Sequence, residues 1–298
     1  MTGRWAPSPT GEFHLGNLRT ALLAWLFARS ENTKLLWRFE DLDGAVRNDF
    51  YDSQIRDFQR IGLNWDGQIF RQSERLGLYQ DGIEDLIRQG LTYRCWCTRR
   101  EIREAALAPH SHLPEGAYSG KCRHLTAKEI SENERSGRNP ALRLISEGQL
   151  IRIEDRQLGD FEGAVDDFVL CRGDQTPSYN LTVVIDDADM GVTEVVRGDD
   201  LLPSTPRQVH LFHLFGLQPP RYAHVPLVLA QSGDRLAKRD GAVTIDDRVA
   251  LGESELDVLN HLLSSLQLPN IESVDELDQI IRHFRPSALP TSPWIFDL

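Results

Sequence analysis

Nowhere in these 298 residues does an apolar run reach the roughly 18 residues that a membrane-crossing helix needs. Net positive charge is also missing: 33 lysines and arginines face 45 aspartates and glutamates, a formal charge of −12. A chain of that sign is a poor undirected binder of nucleic acid, whose footprint is basic. A local basic patch on an acidic body still holds phosphates and rejects nonspecific contacts. Cysteine is scarce, with four residues at 95, 97, 122 and 171. The opening Met1-Thr-Gly-Arg-Trp-Ala-Pro has neither the basic stretch nor the apolar core of a secretory signal. The cysteines therefore do not read as a disulfide framework, and a cytoplasmic location with no membrane partner is expected. Internal repeats, heptads and low-complexity tracts are absent too. What remains is an ordinary globular balance, 40% hydrophobic and 26% charged. The length suits one large α/β domain with insertions or two small domains.

Hydrophobic spacing organises that length. Residues 4–9 read as a buried strand entering a turn, and 15–29 carry apolar residues at 18, 22, 25 and 26, a helical face. A second strand is expected at 34–39, with amphipathic helices at 49–61 and 75–87. Strand and helix alternating at this spacing imply a parallel sheet with crossover helices. From about 91 to 165 Cys, Gly, Pro and His punctuate short segments, and 141–145 and 150–153 look like strands of a small antiparallel insert. Helix resumes at Tyr179, followed by a strand at 194–196, a helix at 201–215 and an apolar strand at 222–229. Beyond 246 the pattern is helical to about 284 and ends in a proline-rich tail. The expected organisation is the first half of a nucleotide-binding domain at 1–90, an insertion at 91–165, the second half at 166–245 and a small helical domain at 246–298.

Two segments suit phosphate. In Ala6-Pro-Ser-Pro-Thr-Gly-Glu-Phe-His-Leu-Gly-Asn a strand ends at prolines, turns through Gly11 and opens a helix near His14 and Gly16. Glycine there admits close approach of a ligand to the backbone, and the helix N-terminus offers free N–H groups to an anion. In Gly233-Asp-Arg-Leu-Ala-Lys-Arg-Asp-Gly, residues Arg235, Lys238 and Arg239 sit on a glycine-flanked loop able to offset pyrophosphate charge. Taken alone, the first is equally a strand–helix turn with a surface histidine, and the second a solvated basic turn.

Together they resemble the HIGH and KMSKS signatures of class I aminoacyl-tRNA synthetases, in the matching order and separation. Asn17 stands at the last HIGH position, and the second signature reads Arg235-Leu-Ala-Lys-Arg. Four further blocks resemble glutamyl-tRNA synthetases: Arg4-x-Ala6-Pro-Ser8-Pro-Thr-Gly, Arg38-Phe-Glu40-Asp-Leu-Asp, Pro177-Ser-Tyr179-Asn-Leu and Val196-Arg197-Gly-Asp-Asp. The resemblance spans about residues 4 to 245 and implies a Rossmann-like α/β catalytic domain. It implies that Arg4 and Tyr179 read the side-chain carboxylate of L-glutamate, that Arg197 holds the α-carboxylate side, and that Glu40, with help from Ser8, receives the α-ammonium, with Ala6 a further glutamate-binding residue. Arginine suits this task because its planar fork binds both oxygens of a carboxylate. ATP, arriving with Mg²⁺, is expected against His14, Gly16, Asn17, Arg235 and Lys238. His14 and Lys238 are the expected catalytic groups, acting by position and charge with no covalent intermediate.

Cys95-Trp-Cys97 is followed by Tyr118-Ser-Gly-Lys-Cys122-Arg-His124. Three thiolates plus one N or O donor make a tetrahedral Zn²⁺ site, and the same residues also suit a metal-free buried cluster. His124 is the better generic ligand. The Cys-x-Cys…Tyr-x-x-x-Cys pattern resembles glutamyl-Q tRNA(Asp) synthetases, in which a tyrosine binds the zinc. Tyr118 is therefore the expected fourth ligand, with His124 in reserve and Zn²⁺ structural. Cys171 reads as a small core residue.

Only residues 239 to 298 follow the second signature, room for one small helical domain where glutamyl-tRNA synthetases continue into a long anticodon-reading half. That form also resembles glutamyl-Q tRNA(Asp) synthetases. The resemblance implies activation of glutamate without tRNA and transfer to queuosine at the wobble position of tRNA(Asp), by a chain expected to act as a monomer. Arg99, Arg100, Lys121 and Arg123 are candidate phosphate contacts. The competing readings are a compact glutamyl-tRNA synthetase charging a 3′ end and a catalytically silent glutamate-binding regulator.

Overall fold

The computed structural model describes residues 1–98, 100–102, 118–236, 241 and 243–297. It opens with strand β1 (Thr2–Trp5), helix α1 (Leu15–Ser30), strand β2 (Lys34–Phe39), helix α2 (Asp49–Arg60) and strand β3 (Ile69–Arg71). The strands lie in the order β1-β2-β3, both pairs parallel. Parallel neighbours need a crossover, and α1 and α2 provide the two. Helix α3 (Leu76–Arg88) follows.

The next segment holds strand β4 (Thr92–Cys95), helix α4 (Ala127–Arg135) and strands β5 (Ala141–Leu144), β6 (Leu150–Asp155), β7 (Gly159–Ala164) and β8 (Val169–Cys171). The two strands expected here enter different sheets. β5 lies between β4 and β8, antiparallel to both, whereas β6 forms a hairpin with β7. Between β5 and β6 the chain turns at Gly148, whose φ of +68° is open to glycine at little cost.

The parallel pattern returns with helix α5 (Tyr179–Asp189), strand β9 (Glu194–Gly198), helix α6 (Thr205–Leu214) and strand β10 (Arg221–Val225), with β9 and β10 parallel. The helix expected at 201–215 begins instead as a 3₁₀ turn, Asp199–Ser204, because Pro203 and Pro206 have no N–H to give and fit only a helix start. Pro226 likewise divides the strand expected at 222–229 into β10 and β11 (Val228–Leu229). β1 lies beside β9: Thr193 N–H donates to the Thr2 carbonyl at 2.8 Å, and Arg4 Nη1 to the Val196 carbonyl at 3.2 Å. Chain order switches between these two strands. Their carboxyl ends therefore flank the crevice where open α/β sheets bind ligands.

Helices α7 (Ile245–Ala250), α8 (Glu255–Ser265) and α9 (Leu277–His283) complete the chain. Thr244 and Ser254 start the first two through capping boxes with Asp247 and Asp257. The proline-rich tail is not structureless: β12 (Trp294–Ile295) pairs in parallel with β11. Leu259, Leu262, Phe284 and Phe296 share one buried cluster with Leu18, Leu22, Trp37 and Phe39. Each such side chain contributes about 1.5–3 kcal/mol when removed from water. Helix α1 is consequently buried well beyond one face, with β1, β2 and β9 on one side and α8 and α9 on the other. Arg19 pins the arrangement, donating to the Pro226 carbonyl at 2.7 Å and to Ser265 Oγ at 3.0 Å. Burial brings its pKa down to about 10.

Candidate active site

A cavity of about 630 Å³ opens at the switch between β1 and β9. Arg4, Ala6, Ser8, His14, Gly16, Asn17, Glu40, Tyr179, Arg197 and Arg235 all line it, so the fold gathers the described residues of both expected ligand sets around one space.

His14 caps helix α1. Its Nδ1 accepts from the N–H groups of Gly16 at 3.1 Å and Asn17 at 3.3 Å, and Asn17 Oδ1 accepts from the His14 N–H at 3.1 Å. Asn17 thus closes a capping box, a physical role for the residue that departs from the HIGH pattern. Gly16 is required by the same packing, since a Cβ there would lie 2.9 Å from the imidazole. Burial holds His14 below its ordinary pKa. With Nδ1 used as an acceptor, the neutral ring carries its proton on Nε2 and presents a neutral N–H donor. The preceding turn is clamped by Gln54, whose amide donates to the carbonyls of Ser8 at 3.0 Å and Gly11 at 2.7 Å.

A buried charge network forms another wall. Arg38, on β2, is fully buried and donates to Asp187 at 2.7 Å and to Glu40 at 3.1 Å, with Asp186 at 3.5 Å. Burial alone would weaken its charge, but these carboxylates outweigh that and hold the guanidinium firmly protonated. Asp187 also faces Arg4 Nε at 3.6 Å. Asp186 is saturated from behind by Tyr79, Gln72 and Arg75 at 2.7–2.9 Å. Burial raises Glu40, with Arg38 and Arg4 pulling the other way. Arg197 differs: its hydrogen-bond partners among the described residues are the neutral groups His224 Nε2, Thr205 Oγ1 and Tyr179 OH, at 3.0, 2.8 and 3.5 Å. The cavity lining thus includes the guanidinium groups of Arg4 and Arg197 and the carboxyl group of Glu40, together with Glu12, Asp200 and Arg235. Arg235, exposed at the rim, pairs with Asp200 at 2.8 Å. Lys238 and Arg239 lie outside the described residues.

Away from this cavity, the sulfur atoms of Cys95, Cys97 and Cys122 all lie within 4.8 Å of one another. The Tyr118 hydroxyl is 3.4 Å from Cys95 Sγ and 3.3 Å from Cys97 Sγ, and it accepts from the Cys122 N–H at 2.9 Å. The Arg143 guanidinium stacks 3.8 Å over the Tyr118 ring and holds it in place. This donor set, three thiols and a phenol oxygen converging on one point, fits a tetrahedral zinc. His124 is exposed and is not among the converging groups. Of the candidate phosphate contacts, Arg99 lies outside the described residues. Arg123 is engaged with the Ser146 carbonyl and Glu147, each at 2.7 Å, which ties it to the protein.

The whole chain, residues 1–298, matches the family of class I tRNA synthetases for glutamate and glutamine, catalytic domain. It is 53% identical over 293 residues to the glutamyl-Q tRNA(Asp) synthetase of Nocardia farcinica, covering 98% of this chain and 92% of that protein. The chain belongs to the glutamyl-Q tRNA(Asp) synthetase family of class I tRNA synthetases. It is also 40% identical to the glutamate–tRNA ligase of Aquifex aeolicus, across 99% of this chain but 63% of that protein. A solved glutamate tRNA ligase from Elizabethkingia meningosepticum, in complex with its amino acid, superposes with a TM-score of 0.82 at 26% identity, over 100% of this chain and 67% of that one.

For this member of the synthetase family, the sequence blocks named the cavity wall but missed what stands behind it. The sequence pattern marks Asp186, Asp187 and Gln54 only as helix residues and His224 only as part of a strand, and it leaves Asp155 just beyond the strand expected at 150–153. One signal was available for His224. It sits in the apolar run Tyr222-Ala-His-Val, and a polar side chain on a buried strand requires a partner.

Proposed function

We propose that this synthetase activates L-glutamate with ATP, without tRNA, and passes it to queuosine in tRNA(Asp). The observation that carries the reading is the charge set of one cavity: Arg4 and Arg197 suit two carboxylates, and Glu40 suits one ammonium. In this reading Arg4 and Tyr179 take the side-chain carboxylate, Arg197 the α-carboxylate side, and Glu40 with Ser8 the ammonium. Burial raises Glu40, and the incoming ammonium adds to the pull of Arg38 and Arg4 toward its ionised form. ATP, with its Mg²⁺, lies against His14, Gly16 and Asn17, and Arg235 and Lys238 offset the charge of its phosphates. An α-carboxylate oxygen attacks the α-phosphorus, the bond to pyrophosphate breaks, and glutamyl-adenylate forms. His14 Nε2–H contributes a hydrogen bond without adding charge, and the N-terminus of α1 favours the developing negative charge. A hydroxyl of the queuosine diol then attacks the acyl carbon and AMP leaves. The names and identities of the relatives support this acceptor, and Tyr118 beside three thiols supports one structural Zn²⁺.

Purified protein is expected to catalyse glutamate-dependent ATP–pyrophosphate exchange without tRNA. Lys238→Ala should slow it about 100- to 1,000-fold, the usual cost of losing one preorganised group that stabilises transition-state charge. Labelled glutamate should enter only tRNA that carries queuosine and map to the anticodon loop of tRNA(Asp). Label on the 3′ end of tRNA(Glu), independent of queuosine, would establish the compact glutamyl-tRNA synthetase instead.

A further inference from the structure

Behind Arg197 lies a buried polar chain to which the reading above gives no task. The side chains of His224, on β10, and Asp155, at the end of β6, are both wholly buried. His224 Nδ1 is 2.6 Å from Asp155 Oδ2, and Nε2 is 3.0 Å from Arg197 Nε. These partners fix the proton. A guanidinium only donates, so Nε2 must be a bare acceptor. A carboxylate only accepts, so Nδ1 carries the hydrogen. Burial would raise Asp155, but His224 and the N–H groups of Gln157 and Leu158 outweigh it and keep the carboxyl below its usual range. Thr205 completes the setting: its hydroxyl accepts from Arg197 Nη2 at 2.8 Å and lies 3.3 Å from the Leu201 carbonyl. Nε and Nη2 are thus both tethered from behind, while Nη1 lies beside the Tyr179 hydroxyl in the cavity wall.

We propose that Asp155 and His224 are positioning residues: Asp155 locks a neutral imidazole in the Nδ1–H form, and that imidazole aims Arg197 at the substrate carboxylate. The physical advantage is charge. A carboxylate placed directly behind Arg197 would orient it but would also compete with substrate for its charge. An imidazole between the two transmits the orientation and leaves the guanidinium uncompensated. Outer hydrogen bonds of this kind set the ring form and direction of histidines at metal sites. Here they act through a histidine on an arginine. The inference rests on Arg197 being a glutamate-binding residue.

Two substitutions separate aiming from mere packing. In His224→Asn the amide reaches the place of Nδ1 and can satisfy Asp155, but the acceptor for Arg197 Nε is lost. In His224→Gln the amide oxygen reaches the place of Nε2. In pyrophosphate exchange, His224→Asn should raise KM for glutamate about ten- to hundredfold, the range for losing a hydrogen bond to a charged group. KM for ATP should stay within about twofold, because only glutamate binding is touched. His224→Gln should recover most of the loss. Ring ¹⁵N spectra of the wild-type protein should show His224 protonated on Nδ1 and bare on Nε2 at neutral pH. A His224→Asn enzyme that keeps the wild-type KM for glutamate overturns the inference, as does a ring protonated on Nε2. Equal damage to both KM values in both variants also overturns it, since that marks a packing role. Wild-type protein with no glutamate-dependent exchange instead overturns the reading of the pocket, and the inference with it.

Discussion

Arg38 sits among carboxylates supplied by α5 and by Glu40, the residue after β2, whereas Cys95, Cys97 and Cys122 have chiefly one another and Tyr118. In the first region the protein balances its own charges. Each carboxylate that holds Arg38 is positioned by a strand or helix of the main domain, and Asp186 is further tied by Gln72, Arg75 and Tyr79. In the second region one guanidinium, Arg143, lies over the Tyr118 ring and opposes the rise that Cys122 and burial impose on Cys95, and four soft or polar donors converge on a point. The charge network is therefore balanced by the protein itself, whereas the thiol cluster is a donor set that a metal ion would complete. Removing a protein partner should damage the first globally. Removing the metal should damage the second locally.

The largest effect follows from Arg38→Met. A side chain of similar length then leaves Asp187 and Glu40 buried with only Arg4 near them, and breaking a buried pair on one side typically costs about 3–5 kcal/mol. Equilibrium denaturation should show that loss as a lower midpoint. A variant within about 1 kcal/mol of wild type, the range of an exposed ion pair, would show that water reaches these carboxylates and that the network is not self-contained.

A smaller and more local effect is expected at the cysteines. Protein purified without chelator should contain one Zn²⁺, and Cys97→Ser should lower its occupancy. Tyr118→Phe should also lower it, while His124→Ala leaves it unchanged, because the Tyr118 hydroxyl lies among the thiols and His124 is exposed. Hydrogen exchange should rise around residues 92–98 and 118–124 and remain protected at β1, β2 and β9. Zinc lost from His124→Ala but retained in Tyr118→Phe would reassign the fourth ligand. Faster exchange throughout the parallel sheet would abolish the distinction between the two regions.

The two regions were also unequally legible. Periodicity placed β2 and, to within a residue, α1, because both are long apolar segments with clear boundaries. The thiol cluster was legible because its ligands are rare residue types, close together in sequence. The charge network was not. Arg38 and Asp187 are 149 residues apart, and nothing in the pattern around either announces the other. Arg197 was named by its block, but its support, His224 and Asp155, comes from two separate strands and carries no local motif. Two-residue strands such as β12 carry no alternation at all, and prolines nearby argued for an irregular tail.

The smallest effect is one of pH, and it tests which region carries the acid sensitivity. His14, His210 and His224 are all held below the ordinary value of 6.5, in each case first by burial. Their neutral forms belong to the folded state. As pH falls through 6.5 the unfolded chain takes up protons that the folded chain refuses, so stability present above 6.5 is progressively lost. Asp57 acts in the opposite sense: burial raises it from 3.8 to about 6, so the folded state binds its proton more tightly between those values. The histidine contribution is therefore separated from that of Asp57 between about pH 6 and 7.5, an interval shared with Cys122, whose bond to Cys95 lowers it to about 6. Denaturation midpoints should fall from the upper to the lower end of that interval, and they should fall in Cys97→Ser as well. The slope should be shallower in His224→Gln, which removes one of the three groups. A slope that disappears in Cys97→Ser would instead belong to proton competition for a metal's thiolates, and would move the acid sensitivity from the buried histidines to the cysteine cluster.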